Sequence, residues 1–180
     1  MKYKTIVIDP PWQINKIKRK ARPNQIDMDY KTMSLKEIQE LPINKISDEN
    51  SVLFLWTIQK YLPVSYELLK RWGFKYLLTL TWNKNNGLCL FGFHWKTEFV
   101  IVGYKGKIDM YPKRKTIPSV FEGKSKKHST KPDEFYNMVR TSFPKPRIDI
   151  FNRRSIKGFE GWGDESPNFT HKGLLRYMNG

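Results

Sequence analysis

Cysteine is almost missing from this sequence. Cys89 is the one thiol in 180 residues, so neither an internal disulfide nor a cysteine-rich zinc module can form. Histidine is scarce too, with three residues and no metal-ligand spacing among them, which argues against a bound metal. Acids are outnumbered. Against 33 Lys and Arg stand 17 Asp and Glu, a formal net charge of +16, which excludes an acidic scaffold and suits a polyanionic partner. No apolar run approaches the roughly 20 residues that span a bilayer. The first apolar stretch, residues 5–8, is too short for a signal peptide. The expectation is a protein of the cytoplasm, in a reducing compartment and without a membrane partner. There is no internal repeat and no long linker. A Gly-x-Gly loop near the N-terminus, which the usual dinucleotide-binding pattern needs, is also lacking.

What is present reads as one domain over residues 1–180. The hydrophobic share of 39% and aromatic share of 14% suit a folded core rather than a basic tail. Residues 5–8, 52–55, 77–82, 99–102 and 148–151 are short runs rich in β-branched or aromatic residues and read as buried strands. Between them lie helical patterns. Ser34-Leu35-Lys36-Glu37 is a capping box opening a helix to about Leu41, stopped by Pro42. Residues 62–72 start with Pro63 and end at Gly73, and residues 132–141 carry Pro and two acids in the first turn. Strands alternating with helices predict an α/β fold, a mostly parallel sheet with helices on both faces. Ligands on such sheets sit beyond the carboxyl ends of the strands. Two stretches read as neither helix nor strand. Residues 16–22 hold five basic residues in seven, and residues 105–131 hold nine against Asp109 and Glu122. Both suit contacts to phosphates, which would make binding fall steeply with salt.

Asp9-Pro10-Pro11-Trp12 follows the first strand directly. Two prolines remove two N–H donors and leave carbonyls that only accept. The aspartate adds another acceptor. An exocyclic amine needs such acceptors for its two hydrogens, so that its lone pair is aimed outward. Trp12 offers a flat face for a base, worth about 1–3 kcal/mol where bases stack on aromatics. Together the four could hold an adenine by its amino group.

The tetrapeptide resembles the signature of N6-adenine methyltransferases with an Asp-Pro-Pro-Trp motif. That family includes the eukaryotic mRNA adenosine methyltransferase and bacterial and phage DNA adenine methyltransferases. The likeness extends through Tyr30-Lys31-Thr32-Met33-Ser34, Val52-Leu53-Phe54-Leu55-Trp56, Trp72-Gly73-Phe74-Lys75-Tyr76 with Trp82-Asn83-Lys84, and His128-Ser129-Thr130-Lys131-Pro132-Asp133-Glu134. It continues in Asp149-Ile150-Phe151-Asn152-Arg153-Arg154 and Gly161-Trp162-Gly163-Asp164-Glu165, covering about residues 3–165.

The resemblance implies a Rossmann-like methyltransferase using S-adenosyl-L-methionine and releasing S-adenosyl-L-homocysteine. Its motif order is permuted, catalytic half first and cofactor half last. Asp9, Pro10, Pro11 and Trp12 are then catalytic, with Asp9 also beside the cofactor. Lys131, at a helix start where N–H groups and a cation favour a carboxylate, is expected on the methionine carboxylate. Asp149 and Arg153 are expected near the amino-acid and ribose ends, and Ser155 at the ribose. Asp164 and Glu165 are expected on the ribose hydroxyls and adenine, although relatives usually have Asn before that Glu. Lys16, Lys18, Arg19, Lys20 and Arg22 would hold the substrate backbone, and Trp12 and Tyr30 would receive a flipped adenine. His94-Trp95-Lys96 and Glu98, before the fourth strand, resemble a second active-site loop of the family, in which Glu98 is expected to be a structural partner. Only about three residues precede the first strand, so another segment or a partner is expected to cover the cofactor adenine. Small size favours DNA over RNA as substrate. An RNA methyltransferase and an inactive nucleic-acid-binding subunit are the alternatives, and pairing as a homodimer or with a related chain is allowed.

Overall fold

A computed structural model describes residues 1–13, 32–109, 116–124 and 130–163. Among them are seven strands. They are β1 (Tyr3–Ile8), β2 (Ser47–Thr57), β3 (Lys75–Leu90), β4 (Phe93–Lys105), β5 (Val120–Glu122), β6 (Arg147–Ile150) and β7 (Glu160–Trp162). They form one sheet in the order β5-β3-β4-β2-β1-β6-β7. β1 pairs in parallel with β2 and β6, β6 with β7, and β3 with β5. β4 alone is reversed, antiparallel to β2 and β3. The sheet is thus mostly parallel, as expected, with one inverted strand.

Alternation along the strands sends side chains to two cores. Ile6 and Ile8 of β1, Leu53 and Leu55 of β2 and Ile148 and Ile150 of β6 join one apolar cluster. It is covered by helices α1 (Leu35–Gln39), α2 (Ile43–Ile46) and α3 (Leu62–Arg71). Val7, Phe54, Trp56, Val100 and Val102 face the other side, against Phe135, Tyr136 and Val139 of α4 (Asp133–Ser142). There Phe135 and Trp56 meet edge to face with centroids 4.8 Å apart, the arrangement the ring quadrupoles favour. Helices therefore cover both faces.

The local signals explain several boundaries. In the capping box, Glu37 N–H donates to Ser34 Oγ at 3.3 Å and Ser34 N–H to the Glu37 carboxylate at 2.7 Å. Pro42 ends this helix, as expected, but it also opens α2, which buries Ile43 and Ile46. Gly73 follows the C-cap Trp72 of α3 and stops the helix, with a φ of +77° that is open to glycine at little cost. Two expectations need correction. β3 and β4 run far past residues 77–82 and 99–102 to form a long hairpin, because residues 83–98 pair through backbone hydrogen bonds rather than through burial, and so lack an apolar pattern. β5 lies inside residues 105–131, read as free of sheet. It is three residues long and half-exposed, too short to leave a periodic signature.

Candidate active site

The neighbours β1 and β6 are the natural place for a ligand. The chain leaves them toward opposite faces, to α1–α2 after β1 and, after β6, to the α4 side where Ile156 and Phe159 pack, which opens a crevice at their carboxyl ends. Asp9 is the first residue past β1, and its N–H donates to the Ile150 carbonyl of β6 at 3.2 Å. A narrow cleft lies here, lined by Asp9, Thr130, Lys131, Tyr136, Phe151, Asn152, Arg153 and Arg154. Three of the residues expected from the sequence, Asp9, Lys131 and Arg153, thus converge, Asp9 being more than 100 residues from the other two in the chain.

Lys131 is the centre of the cluster. Its Nζ lies 3.2 Å from Asp9 Oδ1 and 3.0 Å from Glu98 Oε2. The side chain is 11% exposed, and those of Asp9 and Glu98 are 20% and 18%. Glu98 also holds Lys84 through Oε1 at 3.1 Å. Below Lys131, the Trp56 ring centroid is 4.8 Å from Nζ, a cation–π contact. Burial pushes the Asp9 carboxyl above its ordinary range and Glu98 adds to this, while Lys131 and Arg153 pull against it without cancelling it. Burial also works against the Lys131 ammonium, but Asp9 and Glu98 outweigh it and hold its pKa above the usual lysine range. Glu98 is raised by burial, yet the two ammoniums bring it below the ordinary glutamate value. Glu98 is the structural partner expected. Lys131 is not an open cation awaiting a carboxylate, because two of its three N–H groups face Asp9 and Glu98.

The rest of the motif is held from both sides. Pro10 is buried, and its carbonyl accepts from Trp12 N–H at 2.8 Å, which leaves one lone pair. Pro11's carbonyl accepts from Met33 N–H at 3.0 Å. Trp12 is not the open stacking face expected. It is 6% exposed, its ring stacks on Tyr61 at 4.7 Å and 17°, and its Nε1–H donates to the Trp56 carbonyl at 3.2 Å. An indole gains more by burying its ring and satisfying its N–H together than by lying open. Trp12 therefore anchors the motif to the end of β2.

Asp149 lies under the cleft rather than in its wall. It is 1% exposed, on the α4 face of β6. Burial raises its pKa to about 8, the facing Tyr136 hydroxyl lowers it, and the Asp9 charge raises it further. Ser155 is exposed and outside the cleft lining. Lys16, Lys18, Arg19, Lys20, Arg22, Tyr30, Asp164 and Glu165 lie outside the described residues.

The sequence pattern of the MT-A70 family matches residues 3–165. The chain belongs to the MT-A70 family. Members are S-adenosylmethionine-dependent methyltransferases of the N6-adenine class, so the activity class and cofactor expected from the sequence hold. The Type II methyltransferase M.MunI of Mycoplasma sp. is 30% identical over 93% of this chain and 79% of its own length. The N(6)-adenosine-methyltransferase catalytic subunit METTL3 of Homo sapiens is 27% identical over 84% of this chain. An N(6)-adenosine-methyltransferase MT-A70-like protein of Arabidopsis thaliana is 26% identical over 87%. The chain spans 26% of the length of the human protein and 22% of the plant one.

The cleft of this MT-A70 chain suits the family's cofactor. The amino group and ribose hydroxyls of S-adenosyl-L-methionine need acceptors. Asn152, 5% exposed and in the lining, has a buried Oδ1 without a hydrogen-bond partner, while its Nδ2 donates to the Arg154 carbonyl at 3.0 Å. The methionine carboxylate needs donors, and Thr130, Lys131 and Arg153 in the lining are the residues that would supply them. Sequence reasoning gave no site role to Thr130, Tyr136, Phe151, Asn152 or Arg154, which also line the cleft. Asn152 lay inside the quoted stretch 149–154, but an asparagine at a strand end is ordinary turn chemistry and signals nothing by itself. Among the described residues, no helix is long and apolar enough to cross a membrane.

Proposed function

We propose that this protein transfers the methyl group of S-adenosyl-L-methionine to the N6 amine of adenine in DNA. The observation that carries the reading is Asp9, held 3.2 Å from Lys131 at the carboxyl end of β1, beside a cleft with the cofactor's donor and acceptor needs. The bound cofactor supplies an activated methyl electrophile. The protein's part is alignment. Lys131 and the Ile150 carbonyl fix Asp9 from two directions, so its free carboxylate lone pairs have a set orientation for an amine hydrogen. The second lone pair of the Pro10 carbonyl is an acceptor for the other hydrogen. As the nitrogen becomes cationic, the Asp9 charge stabilises it in a site with little water, where preorganised charge counts most. Asp9 then needs to be ionised and need not be a strong base.

The net charge of +16 and the match along 79% of a Type II methyltransferase support DNA as substrate. The second reading, methylation of adenosine in RNA, is favoured by the similarity to N(6)-adenosine-methyltransferases over 84% of the chain. Incubation with tritiated cofactor and PCR-amplified genomic DNA, or in-vitro transcribed RNA, separates them. N6-methyl-deoxyadenosine in the DNA digest is the expected product. Label in RNA alone would replace DNA with RNA, and label in neither would end both readings.

A further inference from the structure

The β3–β4 hairpin extends well beyond the sheet. β4 pairs with β2 from Lys105 down to Phe99, which lies opposite Thr57, the last residue of β2. Residues 93–98 therefore pass the carboxyl end of β2, at the edge where Asp9 follows β1. On the other side β5 covers β3 only at residues 81–83. Past these points, among the described residues, the hairpin is a two-stranded ribbon without a third strand, which alone is marginal in water.

Its tip carries a row of exposed aromatics: Phe91 at 85%, Phe93 at 73% and Trp95 at 43% exposure. Phe93 and Trp95 are two residues apart on one regular strand and so share a face, and Phe91 sits in the turn with φ +52°. Isolated exposed apolar residues are ordinary, but three on one protruding tip mark a contact surface. The ribbon is also re-aimed. Between Asn83↔Thr97 and Leu88↔Trp95, β3 spends four intervening residues against one on β4, a bulge of the kind that bends a ribbon. Gly87 sits in it so close that an added Cβ would lie 2.5 Å from the Trp95 carbonyl oxygen. The base is rigid, since Glu98 at the root of the ribbon holds Lys131 and Lys84.

Charge selects the occupant. Residues 83–97 contain no acid, and the one at the root, Glu98, is taken by two lysines. Lys96, next to Trp95 in the chain and on the other face of the strand, adds a cation to the ribbon. A second copy of a chain with net charge +16 would be repelled by this surface, whereas a nucleic acid would be attracted. We infer that the ribbon tip docks on the nucleic acid next to the target adenine, with Phe91, Phe93 and Trp95 stacking on its bases and Lys96 facing a phosphate. This rests on the proposed function and adds to it the element that grips the substrate.

The test is the triple variant Phe91→Ser, Phe93→Ser, Trp95→Ser, with Lys96→Gln made separately. All four lie outside the methyl-transfer machinery, and circular dichroism together with calorimetric cofactor binding confirms that the variants fold. Fluorescence anisotropy on a labelled, PCR-amplified DNA fragment and tritium transfer to the same DNA are read with both. Removing one base–aromatic stack weakens affinity about tenfold or more. The triple variant is therefore expected to raise the DNA dissociation constant and KM at least tenfold, with cofactor affinity and sedimentation coefficient unchanged. Unchanged DNA affinity overturns the inference. So does a fall in sedimentation coefficient that accompanies the loss, since the tip would then be a contact between copies. If wild-type protein transfers no methyl group to DNA or RNA, the functional reading fails. The anisotropy comparison still decides the ribbon by itself.

Discussion

Replacing Lys131 with Met tests the charge cluster directly. Lys131→Met keeps much of the apolar stem over Trp56 but removes the ammonium that sits 3.2 Å from Asp9 and 3.0 Å from Glu98. At an effective dielectric near 20, each contact is worth about 5 kcal/mol of Coulomb attraction before desolvation is counted. What a melt reads is smaller, about 3–5 kcal/mol, the usual cost of leaving a buried charge without its partner. Lys84 stays on Glu98, so Asp9 bears the larger share. The cost must depend on pH in a definite sense. Burial already holds the Asp9 carboxyl above its ordinary value, and loss of Lys131 raises it further. Glu98, now lowered by two ammoniums, rises as well. Both acids then resist ionisation in the folded state, so the destabilisation grows as pH climbs through their folded pKa values and shrinks as pH falls below them. Urea unfolding at pH 5 and pH 8 measures this. A cycle with Asp9→Asn isolates the pair, and a coupling of about 1 kcal/mol or more is expected because the contact is direct. Equal penalties at both pH values, or additive single mutants, would refute the cluster as described.

Asp9→Ala removes an acceptor for the target amine. Methyl transfer should fall at least 100-fold while calorimetry shows the cofactor still bound. In wild type, the acid limb of the kcat/KM profile should lie above the ordinary Asp value of 3.8, because only ionised Asp9 accepts the amine hydrogen and its carboxyl is raised. Asp149 gives a second pH signature. Its folded pKa of about 8 stands above the ordinary 3.8, so the fold keeps a proton that the unfolded chain releases, and stability from this group falls as pH rises from about 4 to about 8. Asp149→Asn cannot ionise, so its thermal stability should gain on wild type by about 4 kcal/mol between pH 5 and pH 8.5, and a constant difference would exclude this origin. Neutralising Lys18, Arg19 and Lys20 should weaken DNA binding and flatten the slope of log K against log salt by about 0.9 for each phosphate no longer neutralised, read by anisotropy from 50 to 200 mM salt.

Much of the scaffold is legible in the order of the residues alone. Five strand cores, three helices and a capping box follow from short-range signals: alternation, capping side chains, proline and glycine stops. These depend on neighbours within four residues, so the chain carries them locally. The same holds for Asp9-Pro10-Pro11-Trp12, whose position after β1 follows from a four-residue apolar run, and whose resemblance to methyltransferases with that motif is a matter of composition and order.

Long-range geometry decided the rest. No local pattern says that β4 runs backward, because residues 99–102 look the same in either direction, and only pairing with β2 and β3 picks one. Nor does a local pattern say that Lys131 meets Asp9 and Glu98, since these lie 122 and 33 residues away along the chain and join only when the sheet order is set. Trp12 could have been open or covered. Tyr61 and the Trp56 carbonyl covered it, because burying the ring and pairing its N–H is worth more than exposure. The ribbon went unread for the opposite reason. Its order comes from backbone pairing across a hairpin with little burial, and hydrogen bonds between backbones leave almost no trace in the identity of the side chains.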